Sequence, residues 1–138
     1  MNGTLEDELA RERILAIVRG PDPDAAIRTA ITLMECGIRI LEVSLVTADA
    51  LRVISEIVKA APEGCLIGAG TVLSRSDVSA AAKAGADFMV TPALAESVAE
   101  SVAIGIPVLA GACTPSEVVR AVDLGATAVK LFPMSLGG

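Results

Sequence analysis

Short apolar runs alternate with longer Ala-rich stretches of helical periodicity along the whole chain. The apolar runs cover residues 14–18, 40–45, 66–69, 88–90, 107–110 and 128–132. Several are rich in β-branched residues, as parallel strands buried on both faces are. Between them lie helical stretches at 23–35, 48–60, 76–84, 94–104 and 116–124. Asp22-Pro23, Thr47 before Asp49, Ser74 or Ser76 before Asp77, and Thr114-Pro115 with Glu117 suit N-caps or first helical turns. Gly37, Gly85, Gly105 and Gly125 each close a helix, where the residue past the end favours a left-handed backbone. The last three stand 20 residues apart in similar texts, AAKAGADFMV, SVAIGIPVLA and AVDLGATAVK.

A repeat of that length holds one helix and one strand. The pattern predicts serial βα units in a single α/β domain over residues 1–138, with six strands, five helices and one parallel sheet. The sheet is either open or rolled into a barrel. A closed (β/α)8 barrel has eight strands and usually ~250 residues, whereas an open doubly wound sheet is complete with five or six strands. Length alone therefore favours the open sheet. The residues at the strand ends favour the barrel.

Composition removes several chemistries. Hydrophobic residues make up 53% and charged residues 20%, the balance of a chain that folds around a core. There is no His, Trp or Tyr and only two Phe. A Ser-His-Asp triad, a His-ligated zinc and an imidazole base are excluded. So are the aromatic platforms on which single-stranded nucleic acid stacks. The formal charge of −6 disfavours a phosphate-backbone partner, so no nucleic acid is expected. No apolar run approaches the roughly 20 residues of a membrane span, so no membrane partner is expected. Cys36, Cys65 and Cys113 are unclustered and odd in number. With an N-terminus reading MNGTLEDELARER, they are expected to be reduced, small buried hydrophobes in a cytoplasmic protein.

Lys59 and Lys83 fall late in helices, an ordinary place for a cation. Lys130 instead interrupts the apolar strand Ala-Thr-Ala-Val-Lys-Leu-Phe-Pro. A lysine withdrawn from water is costly unless paired or neutral, and withdrawal is how lysines become nucleophiles toward carbonyls. A strand-end lysine reaching out to solvent is the other reading. Glu42 stands inside Arg-Ile-Leu-Glu-Val-Ser-Leu and shares a strand face with Ser44 and Val46. An ion pair with Arg19 or Arg39 would account for it equally well. In a barrel, however, Glu42 and Lys130 both project toward the C-terminal mouth, an amine for an iminium and a carboxylate to move protons. Arg19 is the best-placed cation for a substrate carboxylate, with a plain surface arginine as the alternative. Gly68 and Gly70 allow close backbone approach before Thr71, but the dinucleotide fingerprint is not met. Thr91-Pro92 and Thr114-Pro115 read as turn punctuation.

Ile-Leu-Glu-Val-Ser-Leu, Ile-Gly-Ala-Gly-Thr-Val, Val-Thr-Pro and Val-Lys-Leu-Phe-Pro stand in the order and spacing of a known family. From about Arg11 to Gly138 the chain resembles the 2-keto-3-deoxy-6-phosphogluconate and 4-hydroxy-2-oxoglutarate aldolases. The resemblance implies a TIM-type (β/α)8 barrel, a class I aldolase without metal or cofactor, and a homotrimer. It implies a small keto-acid phosphate as substrate. It matches Lys130 to the Schiff-base lysine, Glu42 to the general acid/base and Thr71 to a residue contacting the pyruvate moiety. Pro92 and Phe132 match pocket residues, and Arg19 matches a strand-one arginine. Val46 stands where gluconate-type relatives often carry a carboxylate-binding arginine, which galactonate-type relatives also lack. Gly137 and Gly138 match the start of the loop after the sixth strand, where a phosphate contact is expected.

The barrel family has two strands beyond the six read here. The expectation is therefore a C-terminally incomplete barrel, with two open sheet edges and weak or no turnover alone. An inactive partial barrel, or a subunit completed by another chain, is the competing reading. An unrelated open-sheet binding protein is a third.

Overall fold

The computed structural model describes residues 4–136. Chain order is α1 (Leu5–Glu12), β1 (Ala16–Val18), α2 (Pro23–Glu35), β2 (Ile40–Ser44), α3 (Ala50–Ala60), β3 (Leu66–Gly70), α4 (Arg75–Ala84), β4 (Phe88–Val90), α5 (Glu96–Ala103), β5 (Val108–Ala112), α6 (Pro115–Asp123) and β6 (Ala128–Leu131), then a 3-10 turn at Met134–Leu136. The strands form one parallel sheet in the order β1-β2-β3-β4-β5-β6. A doubly wound sheet reverses its strand order at a switch point. Here every strand pairs with its neighbour in sequence, which is barrel winding. The fold is a six-stranded half-barrel with six helices outside or beneath it.

Strand alternation divides the side chains into two layers. Leu41, Val43, Ile67, Ala69, Met89 and Ala110 point outward into the helix layer, against Ala30, Ile54, Ile57, Val78 and Val98. Ile40, Phe88, Val90 and Leu109 point inward, where Leu5 and Leu9 of α1 join them. The Phe88 ring occupies the space that a side chain on Gly68 would take. Because Ile40, Leu66, Phe88 and Ala128 open their strands, α1 closes the N-terminal end of the sheet. The opposite end stays accessible.

The five expected helices are α2 to α6, and α1 is a sixth. Its text LEDELARE offers only Leu5 and Leu9 as an apolar stripe, too thin for periodicity to register. A capping box between Thr4 and Asp7 starts it, and Arg11 pairs with the buried Glu8. The same box recurs at Ser74/Asp77 and Thr114/Glu117, so Ser74 caps α4 rather than Ser76. Thr47 does not cap α3; the N-cap is Asp49, at φ +51. Gly85 ends α4 at φ +100, where an added Cβ would also press on Val58 at 3.2 Å.

Cys36 and Cys113 are exposed and Cys65 is half-buried, contrary to the expectation of buried thiols. Cys36 caps the C-terminus of α2, and Cys113 follows the last residue of β5. Both are chain-reversal positions rather than core positions. Among the described residues, β1 and β6 each pair on one side only. Ile17 and Leu131 on those edges are more than half exposed. No helix among the described residues is long and apolar enough to cross a membrane.

Candidate active site

The C-terminal ends of the strands enclose a cleft of about 360 Å³ lined by Ile17, Arg19, Thr71, Pro92, Lys130 and Phe132. Five of these six were singled out in the sequence. They arrive from the ends of β1, β3, β4 and β6, because inward-facing positions recur every second residue on each strand. Lys130 pairs in register with Gly111, and its Nζ lies 4.7 Å from the centre of the Phe132 ring. That is cation–π distance, and it holds the amine over an apolar wall. Gly137 and Gly138, the expected phosphate contacts, lie outside the described residues.

Glu42 does not line the cleft, yet it belongs to the same inner face. It is 3% exposed, between the inward-facing Ile40 and Ser44. Gly70 makes room for it, since a Cβ there would collide with Glu42 Oε1. Burial pushes the Glu42 carboxyl above the usual carboxylate range, and the positive charges of Lys130 and then Arg19 only partly draw it back. None of the ion pairs among the described residues involves Glu42, Lys130 or Arg19. The ion-pair reading of Glu42 is therefore not observed. Arg39 turns to Cys65 instead, with Nη1 at 3.7 Å from Sγ. Perturbed carboxylates of this kind cluster at functional sites.

Thr71 sits at φ +57 immediately after β3. For a β-branched residue that is a strained conformation, costing about 1–3 kcal/mol. Its hydroxyl lies 2.9 Å from Ser44 Oγ. Pro92 is held by its predecessor. The buried Thr91 hydroxyl donates to the Ala93 carbonyl at 2.7 Å and accepts from the Gly111 N–H at 3.2 Å. Gly111 has no room for a side chain against the Pro92 carbonyl. Thr91 thus does more than punctuate a turn. Ser44, Gly70 and Gly111 were not read as site residues, although Ser44 shares the face of Glu42.

A second concavity of about 330 Å³ lies among Leu45, Thr47, Asp49, Ala50, Leu51, Asp77 and Ala80. It has two carboxylates and no amine, so Schiff-base chemistry has no starting point there. Among the described residues no cluster of three or more Cys, Asp and Glu is arranged to hold a metal ion.

The sequence model of the KDPG and KHG aldolases matches residues 5–138. The chain belongs to the KDPG and KHG aldolase family. A probable 2-dehydro-3-deoxy-6-phosphogalactonate aldolase of Rhizobium meliloti is 39% identical over 126 residues, 91% of this chain and 59% of that protein. The 2-keto-3-deoxy-6-phosphogluconate aldolase of Zymomonas mobilis ZM4, solved with 3-phosphoglycerate, superposes with a TM-score of 0.85 at 33% identity. That match covers 96% of this chain and 63% of the other. The KDPG aldolase of Legionella pneumophila, solved with pyruvate captured as a covalent carbinolamine, gives a TM-score of 0.78 at 27% identity, covering 90% of this chain and 60% of that one. This aldolase-family chain spans about three fifths of the length of the curated relatives it matches.

Proposed function

We propose that the protein is a class I aldolase that cleaves a 2-keto-3-deoxy-6-phospho sugar acid to pyruvate and glyceraldehyde 3-phosphate. The observation that carries this is the convergence of Lys130, Arg19 and Thr71 on one cleft beside the buried Glu42. Lys130 Nζ, as the free amine, attacks the C2 ketone to give a carbinolamine. Loss of water leaves an iminium. The C3–C4 bond then breaks, its electron pair passes to the iminium as an enamine, and the C4 hydroxyl proton goes to Glu42, directly or through water. The C4 carbon leaves as the aldehyde. Glu42 returns that proton to the enamine at C3, which becomes the pyruvate methyl, and hydrolysis of the iminium releases pyruvate and restores the amine.

Arg19 is the cation for the substrate carboxylate, with the Thr71 hydroxyl as a second contact on the pyruvate part. Pro92 and Phe132 exclude water from the iminium. The phosphate is assigned to Gly137 and Gly138 by the family resemblance alone. The same resemblance suggests a homotrimer, and the unclustered cysteines suggest the cytoplasm. Val46, largely exposed just past β2, supplies no charge at the mouth, so the choice of sugar acid rests on other contacts.

Borohydride reduction in the presence of pyruvate tests the reading. The expected result is a mass gain of one reduced pyruvyl group at Lys130, absent from Lys130→Ala. A folded chain that gains no mass would support the inactive partial barrel instead.

A further inference from the structure

We infer that Ser44 is a positioning residue that aims the Thr71 hydroxyl proton into the cleft. The inference rests on the aldolase reading above and deepens it. Ser44 is fully buried, and among the described residues its hydroxyl has one hydrogen-bond partner, Thr71 Oγ1 at 2.9 Å. Either oxygen of such a pair is able to donate. Burial breaks the tie. If Thr71 donated to Ser44, the Ser44 proton would be left in the interior with no acceptor, and an unmet buried donor bears its full desolvation cost. Thr71 is only half-buried and lines the cleft, so its proton finds an acceptor there. The favoured chain is Ser44 O–H to Thr71 Oγ1, then Thr71 O–H to the ligand.

The backbone supports the same orientation. Leu45 N–H donates to the Gly70 carbonyl at 2.8 Å, and Val72 N–H donates to the Val90 carbonyl at 3.1 Å. These bonds clamp both sides of Thr71 and hold it at φ +57. With its backbone clamped and its Oγ1 held at 2.9 Å from Ser44, the remaining freedom of Thr71 is the hydroxyl rotor, and Ser44 sets that. A hydroxyl already accepting one bond is polarised to donate the next. The ligand group it suits is a carboxylate or keto oxygen. Such a group is an acceptor only, like the carboxylate of pyruvate.

The test is a double-mutant cycle read by the pyruvate concentration that gives half-maximal borohydride trapping at Lys130 in the full chain. Ser44→Ala is expected to raise that concentration roughly tenfold. In a Thr71→Val background, Ser44→Ala is expected to change it less than about twofold, because the relay then has no recipient. Ser44→Thr keeps the hydroxyl and is expected to stay within about twofold of the parent chain. If Ser44→Ala loses its melting transition, Ser44→Cys, nearly the same size and a weak donor, takes its place in the cycle. An equal cost in both backgrounds, or no cost in either, overturns the relay while leaving the Schiff base standing. Absence of any adduct in the unmutated chain overturns the aldolase reading, and the relay with it.

Discussion

The carboxylate of Glu42 on β2 occupies the space that a side chain on Gly70, at the end of β3, would fill. The two strands are paired in register, with Glu42 opposite Gly68 and Ser44 opposite Gly70, so the fit is local and rigid. Gly70→Ala should push the carboxylate off its rotamer and overpack the inner face, at about 1–3 kcal/mol of stability. The chemical consequence should be selective. Trapping of pyruvate at Lys130 should persist, while exchange of the pyruvate methyl protons with deuterated water should slow by about 10²-fold, the size of a lost general base. Exchange at the parent rate would show that Glu42 does not move that proton.

Glu42 should make stability fall as pH rises. Its folded carboxyl titrates above the usual carboxylate range, chiefly because burial disfavours the charged form. A raised folded-state pKa contributes stability below the unfolded-state value, and that contribution is lost as pH climbs through the folded-state value. Glu42→Gln removes the charge without changing the shape. It should raise the melting temperature by about 2–5 °C at about pH 8 and leave it nearly unchanged at about pH 4. Equal shifts at both pH values would mean that the carboxylate is not held at a desolvation cost.

Leu5 is buried among Ile40, Phe88, Val90 and Leu109, where α1 plugs the N-terminal end of the sheet. Leu5→Ala should cost about 2–4 kcal/mol, read from the shift of the urea midpoint at constant slope. A change below about 0.5 kcal/mol would mean that the plug is not part of the cooperative core.

Thr91→Val keeps the shape of a fully buried side chain and removes its hydroxyl. The Gly111 N–H then has no side-chain acceptor, which should cost about 1–3 kcal/mol. Because the same hydroxyl ties down the Ala93 carbonyl next to Pro92, trapping at Lys130 should also weaken. Unchanged stability would assign the Gly111 N–H another partner.

Strand and helix positions were largely legible, because alternation and helix punctuation are local. The strand 88–90 was read with its observed limits, and the others shifted at their ends by one or two residues. Residues 14 and 15, read as strand, precede β1, and Gly111 and Ala112 extend β5 beyond the reading. Helix α1 escaped because its two leucines bury against an inner layer that exists only once the sheet has curled. Asp49 in place of Thr47 as the α3 cap escaped for a related reason: a left-handed backbone depends on the loop, not on the residue pattern.

The sequence alone determined the serial βα winding, the absence of imidazole chemistry, and the anomaly of Lys130 and Glu42 inside apolar strands. Those follow from residue type and short-range periodicity, which act within a turn of helix or a few strand residues. The tertiary structure decided barrel winding over doubly wound sheet, through the order β1 to β6. It also decided that Glu42 is buried with no ion pair among the described residues, that Gly70 makes its space, and that Ser44 reaches Thr71. Ser44 and Thr71 are 27 residues apart in the chain. Their contact depends on strand register and inward curvature, which only the packed sheet provides.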